Sequence, residues 1–327
     1  MRDPQASRRR GRVARVVARL LPLLALAGCG SAPSATPAAT PVAVVGAVSI
    51  SRQVFDLRLT SALSLIGRSG GGAASGKARD AMVGELRASV MRGLIIDAVI
   101  IGEARYHRLE ASDGDVEASL AADRRAAGGD EALRQQLGEA GGSLDQLRDE
   151  TRSRLNEQRL EDYFARARAD DAERELIAGT DFPAVATQYS DDEATRARGG
   201  DAGTFTEDQL KGGDPAFGQA VLSLAAGQSS AKPIRDRAGY DIVRVDAISP
   251  AGRALHRILV AAPDPYTVRS RPGWFTASVV AAINDDCGRG QIHLLIKDAG
   301  PSPCVAARGS PSSETPRASS TSASPRP

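Results

Sequence analysis

Residue types that commonly carry chemistry are sparse in this chain. It holds three histidines, His107, His256 and His293, far apart in sequence. No C-x-x-C or H-E-x-x-H spacing gathers metal ligands, and no metal is expected. Cys287 and Cys304 form an even pair, which in an exported protein is more often a disulfide than a reactive site. Gly71 to Gly76-Lys77 matches most of a G-x-x-x-x-G-K phosphate loop. Ala78, however, stands where that motif needs a hydroxyl for magnesium, and a helical pattern precedes it instead of a buried strand. An interhelical loop is expected there, with no nucleotide and no cofactor. The 42 basic and 40 acidic residues leave a net charge of +2, and no basic footprint for nucleic acid stands out.

The densest pattern lies between Asp181 and Asp246. DFPAVATQYSDD gives a short amphipathic helix through Phe182, Val185, Ala186 and Tyr189, followed by the glycine-rich turn ARGGDAGTF. DPAFGQAVLSL gives a second helix with Phe217, Val221 and Leu222. In AGYDIVRVD, Tyr240, Ile242, Val243 and Val245 put apolar groups on both faces, as a central strand requires. In this order the residues resemble the parvulin family of peptidyl-prolyl cis-trans isomerases, from Ala172 to Ala247. The GGD-x-G-x-F run at Gly199, Gly200, Asp201, Gly203 and Phe205 is the most specific part.

The resemblance implies a chemistry without nucleophile or cofactor. Rotation about X-Pro meets a barrier of about 20 kcal/mol, and a catalyst must bind the twisted amide better than either planar form. By position, the family's proline pocket falls on Ala202, Leu210 and Phe217, with Phe205 close by; Leu210, Phe205 and Phe217 are equally what an ordinary core uses. The polar centre falls on Asp192, after the Y-S-x helix end, and on Asp241, where the family's G-Y-H-I has histidine. If Asp192 and Asp241 face each other, one is expected to keep a proton. Asp241 equally fits a domain that binds peptide and no longer catalyses.

The family's opening strand, R-H-I-L-V, is missing upstream of Ala172. Leu255-His256-Arg257-Ile258-Leu259-Val260 looks like that strand displaced downstream, where the short link SPAGRA could return it as a hairpin. A circularly permuted sheet with His256 facing Asp241 is one expectation. A second, degenerate repeat or an unrelated extension is the other.

The flanks set the context. Arg8, Arg9, Arg10, Arg12 and Arg15 precede a short apolar run, Leu20 to Ala27, and then Gly28-Cys29. This resembles a bacterial lipoprotein signal, which implies a lipid on Cys29. Ser31 to Pro41 reads as a linker. The opening from Val42, with Gly46 in a turn, and the helices that follow resemble the start and the helical chaperone domain of SurA-type and PrsA-type foldases. Helices are expected over Lys77 to Leu109, from Ser112, near Glu131 to Leu137, and over Ser143 to Phe164. After Ala251, a strand, a helix from Trp274 to Ile283 and a strand from Ile292 are expected. The tail from Val305 cannot build a core.

The expected fold is α+β. A leader (1–28) and linker (29–41) precede a helical chaperone domain (42–168). A parvulin-like domain (169–250) follows, with an antiparallel sheet flanked by helices. An extension (251–304) completes that sheet if the domain is permuted, and a disordered tail (305–327) ends the chain. The expected function is a lipid-anchored foldase on the extracytoplasmic face of the cell membrane. It would bind unfolded or newly exported proteins and isomerise or bind X-Pro bonds. A non-catalytic holdase or assembly scaffold is the alternative, and a solute-binding lipoprotein a more remote one.

Overall fold

The computed structural model describes residues 40–68, 76–139, 142–262, 271–297 and 299–304. The leader, Cys29, the linker to residue 39, most of the glycine-rich loop (69–75) and the tail from 305 lie outside the described residues.

β1 (Pro41–Val45) and β2 (Val48–Ser51) form a hairpin, and the hydroxyl of Ser51 accepts the Val54 N–H to start α1 (Arg52–Arg68). α2 (Lys77–Tyr106) is the centre of the helical body. Its Met91, Leu94, Ile95, Ala98 and Val99 recur at three- and four-residue intervals and bury against Val42, Val45, Ile50 and Phe55. α3 (Asp113–Ala127) opens on a reciprocal cap: the Ser112 hydroxyl accepts the Asp115 N–H, and the Asp115 carboxylate accepts the Ser112 N–H. α4 (Asp130–Glu139) follows.

α5 (Leu144–Ile177) runs 34 residues and crosses the expected domain boundary at 168/169 without a break. It was expected to stop near Phe164. It continues because Ala165, Ala169 and Ala172, all fully buried, give a narrow small-residue stripe on an otherwise charged helix. Its first half packs on α2 and α3, and its second half carries the sheet domain.

That sheet domain holds α6 (Phe182–Tyr189), α7 (Glu193–Arg196), β3 (Asp201–Phe205), α8 (Glu207–Gly212), α9 (Pro215–Ser223), β4 (Ile234–Arg235), β5 (Gly239–Ser249) and β6 (Gly252–Ala261). The strands form one antiparallel sheet in the order β3-β6-β5-β4. β5 and β6 pair as a hairpin from Ser249↔Gly252 to Gly239↔Ala261. The strand bearing Leu255 to Val260 is therefore an inner strand of this sheet, between β5 and β3.

The remainder goes elsewhere. α10 (Gly273–Gly288) lays Phe275 and Val279 against Ile100 of α2 and Leu160 of α5. β7 (Ile292–Leu294) pairs with β1 in a three-stranded sheet, β2-β1-β7, and a disulfide joins Cys287 to Cys304. The segment 251–304 is thus not one extension. Its first strand belongs to the sheet domain, and its later part closes the helical body. The sheet domain is inserted between α5 and α10. Among the described residues, no helix is long and apolar enough to cross a membrane.

Candidate functional site

The glycine-rich turn is held against β6 at one place. Gly199 and Gly200 adopt φ of +65° and +94°, and a Cβ on Gly200 would lie 3.1 Å from the Arg257 carbonyl oxygen. The Gly200 carbonyl accepts the Arg257 N–H at 2.7 Å. Only a residue without a side chain allows that approach in the left-handed region. The turn thus fixes β3 on β6, with Asp201 opposite His256.

Side chains alternate between the two sheet faces. One face carries Val243, Val245 and Leu255, covered by Leu210, Val221 and Leu224. Ala202, Phe205 and Phe217 pack against this cluster but stay partly exposed, and the two phenyl rings meet edge to face at 6.5 Å. Leu210 is only 2% exposed, so it belongs to the core beneath the aromatic pair. The opposite face carries Ile242 and Ile258, covered by Phe182, Val185, Ala186 and Tyr189.

Asp241 shares the face of Val243 and Val245 and is fully buried. Arg257 grips it in a two-point contact, Nε to Oδ1 at 2.6 Å and Nη2 to Oδ2 at 2.8 Å. The guanidinium also lies over the Phe217 ring at 5.2 Å. Asp236 stands behind: its Oδ1 accepts the N–H groups of Ala238 and Gly239, and its Oδ2 lies 3.7 Å from Arg257 Nη2. Burial pushes the Asp241 carboxyl up to about 7. Arg257 opposes the rise, while Asp236 adds to it through charge and hydrogen bonding. For Arg257, burial works against the charged form, but Asp241 outweighs it and the guanidinium is held above its usual value.

Two expectations about the polar centre are corrected. His256 does not face Asp241. The register sets His256 opposite Arg244 and Asp241 opposite Leu259, so the two side chains lie on opposite faces. His256 instead bonds through Nδ1 to Asp246 and stacks edge-on against Phe182. There burial would raise Asp246, but hydrogen bonds from His256 and Arg244 outweigh it and hold that carboxyl below its usual range. Asp192 is not hydrogen-bonded to Asp241 either. It caps α7, accepting from Ala194 and Thr195, and reaches the centre only through its field on Arg257. The carboxyl beside Asp241 is Asp236.

Arg257 and Asp236 were not among the expected residues. A signal for Arg257 existed: in R-H-I-L-V the histidine directly precedes I-L-V, and Arg257 directly precedes Ile258-Leu259-Val260. His256 and Arg257 are one step apart, and in a strand one step changes the face. Among the described residues, no group of three His, Cys, Asp or Glu side chains is placed to hold a metal.

The helical body has its own concavity, about 300 Å³, between β2, α1, α2 and α5. Val54, Leu57, Leu94, Ala98 and Ile101 give it apolar walls. Arg58 and Asp97, 2.8 Å apart, stand within it. Burial raises the Asp97 carboxyl, with Arg58 opposing.

Two family profiles match this chain: the rotamase profile, PPIC-type PPIASE domain, over residues 149–247, and the SurA-like N-terminal domain over residues 7–161. The chain is thus similar to a PPIC-type PPIase domain over one stretch and to a SurA-like N-terminal domain over another. It is 38% identical over 81 residues to the foldase protein PrsA of Caldanaerobacter subterraneus, covering 25% of each chain. It is 39% identical over 80 residues to the chaperone SurA of Xanthomonas oryzae, covering 24% of this chain and 16% of that one. The matched stretches thus span a quarter or less of these relatives. A crystal structure of PrsA from Streptococcus pneumoniae aligns over 69% of this chain and 96% of that one, with 15% identity and a TM-score of 0.26.

Proposed function

We propose that this protein is a foldase of exported proteins, tethered by a lipid on Cys29 to the extracytoplasmic face of a membrane. The helical body takes unfolded segments in the cleft lined by Val54, Leu57 and Ile101. The sheet domain takes X-Pro segments on the face where Phe205 and Phe217 meet, and isomerises or holds them. The observation that carries this reading is the partly exposed aromatic pair set beside Arg257, whose guanidinium is fixed by the buried Asp241. Such a place offers an apolar seat for a proline ring and a donor within reach of the segment's carbonyl oxygens. Leu210 and Ala202 shape the seat from beneath and from the side.

The domain reads as a permuted parvulin sheet. Support comes from the central place of β6 and from the profile match, which ends at residue 247, before β6 begins. Within it, Asp241 is the buried anchor of the polar centre, Asp192 a capping residue whose charge bears on Arg257, and His256 a support of the opposite face.

A second reading, a holdase that binds without isomerising, is favoured by the Arg257–Asp241 pair. A guanidinium clamped by a carboxylate is a different tool from the histidine of the family motif.

Exchange NMR on a blocked Ala-Ala-Pro-Phe peptide, together with light scattering of an aggregating unfolded client, tests both. Accelerated exchange that falls in Phe217→Ala supports the isomerase. Peptide binding and client protection without acceleration support the holdase. A wild-type chain that neither binds the peptide nor protects the client overturns the reading.

A further inference from the structure

Resting on the sheet-domain reading above, we propose that Arg257 is the residue that holds the X-Pro segment. Its guanidinium donates to the carbonyl oxygen preceding the proline, and Asp241 and Asp236 act as its positioning residues. An X-Pro link has no N–H on the proline and offers its partner carbonyl oxygens. The group that meets it must therefore be a donor. Asp192, Asp236 and Asp241, the ionisable side chains gathered around Arg257, accept when charged. Arg257 is the donor among them, and its two-point contact with Asp241 uses Nε and Nη2, leaving Nη1 outside it.

The geometry suits a donor fixed in advance. The carboxylate of Asp241 is 0% exposed while the Arg257 side chain is 21% exposed, so the acid is wholly interior and the guanidinium is the part that reaches solvent. It reaches it against the face of Phe217, on the wall where the proline would sit. The backbone of Arg257 is pinned as well, by the Gly200 carbonyl. Both ends of the side chain are therefore held before any client arrives, which lowers the ordering cost of binding.

The chemistry gives this donor a specific consequence. Twisting the imide breaks the conjugation between nitrogen and carbonyl, so negative charge leaves the oxygen and returns to nitrogen. A cation on the oxygen therefore favours the planar forms. Arg257 contributes to affinity and not to rate, and its loss appears in Kd or KM with kcat unchanged or slightly raised.

The test uses the full chain, a blocked Ala-Ala-Pro-Phe peptide, and the variants Arg257→Gln, Arg257→Lys, Asp241→Asn and Phe217→Ala. Affinity comes from NMR titration, kcat from exchange, and folding from thermal melts. Arg257→Gln is expected to weaken Kd about tenfold or more, the usual worth of a hydrogen bond to a charged group. Arg257→Lys should recover part of that loss. Asp241 is faced by Arg257 of β6 and Asp236 of the loop before β5, with the Asp192 carboxylate nearby at the start of α7. Wild-type affinity should change as pH passes through about 7, and Asp241→Asn should flatten that profile. A folded Arg257→Gln that binds the peptide as wild type does would overturn the assignment while the aromatic seat stands. Equal binding by Phe217→Ala, or none by wild type, would remove the seat and Arg257's role with it.

Discussion

The indole N–H of Trp274 donates to Oδ2 of Asp191 at 2.9 Å, and the same oxygen accepts the backbone N–H of Ala261 at 2.9 Å. One carboxylate thus ties the end of β6 to the start of α10, where the chain leaves the sheet domain and re-enters the helical body. Asp191→Ala removes both hydrogen bonds and is expected to cost about 1–3 kcal/mol. Trp274 is the only tryptophan of the chain. Urea denaturation gives the loss, and a red shift of the native emission reports hydration of the freed indole.

Asp241 sets a pH dependence of known sign. Its carboxyl, pushed up to about 7 by burial, ionises in an unfolded chain near ~3.9. Between those values the folded state keeps a proton that the unfolded state releases. The associated stability is complete below about pH 4 and is lost as pH rises through about 7. The denaturation midpoint of wild type relative to Asp241→Asn should fall across that window. A difference independent of pH would contradict the assignment.

Gly218 lies where α9 crosses α8, and a Cβ there would fall 2.1 Å from the Leu210 carbonyl oxygen. Gly218→Ala must push the two helices apart, at a cost of roughly 1–3 kcal/mol. Because α8 carries Leu210 and α9 carries Phe217, peptide affinity should fall along with the melting temperature. A variant with wild-type melting would show that the crossing is slack.

The Cys287–Cys304 bond closes a sequence separation of 17 residues that includes β7. Reduction is expected to remove about 3 kcal/mol, the entropic worth of a loop of that size. The loss should appear first as faster hydrogen exchange in β1 and β7, with the sheet domain little changed. Uniform loosening of both bodies would point to a single cooperative unit.

Much of this was legible in the sequence because it is written locally. Apolar residues on both faces announced β5, the run from Leu255 to Val260 announced β6, the glycines announced the turn before β3, and Ser112 announced α3. Three features were not. The length of α5 was hidden because its buried face is made of alanines among charges, a weak hydrophobic signal whose four- and three-residue spacing was nonetheless present. The return of β7 to β1 was hidden because three residues carry no address for a partner at the far end of the chain. At the candidate site, the meeting of Phe205 and Phe217 was readable from their distance to the glycine turn. The Arg257–Asp241 contact was not, since His256 and Arg257 are neighbours and only the pairing register decides which one shares the face of Asp241.

The pairing of Val45 with Ile292 has a consequence for how the molecule is made. A chain emerges from its amino end, and domains fold as they appear. β1 is produced early, yet its second neighbour arrives only after everything from α5 to α10 has followed. The sheet domain is bounded by its own hairpin and does not have to wait. The helical body therefore matures last, around a domain that has already formed. An interrupted copy would leave one side of β1 unzipped, so closure of that small sheet marks a copy made through to β7.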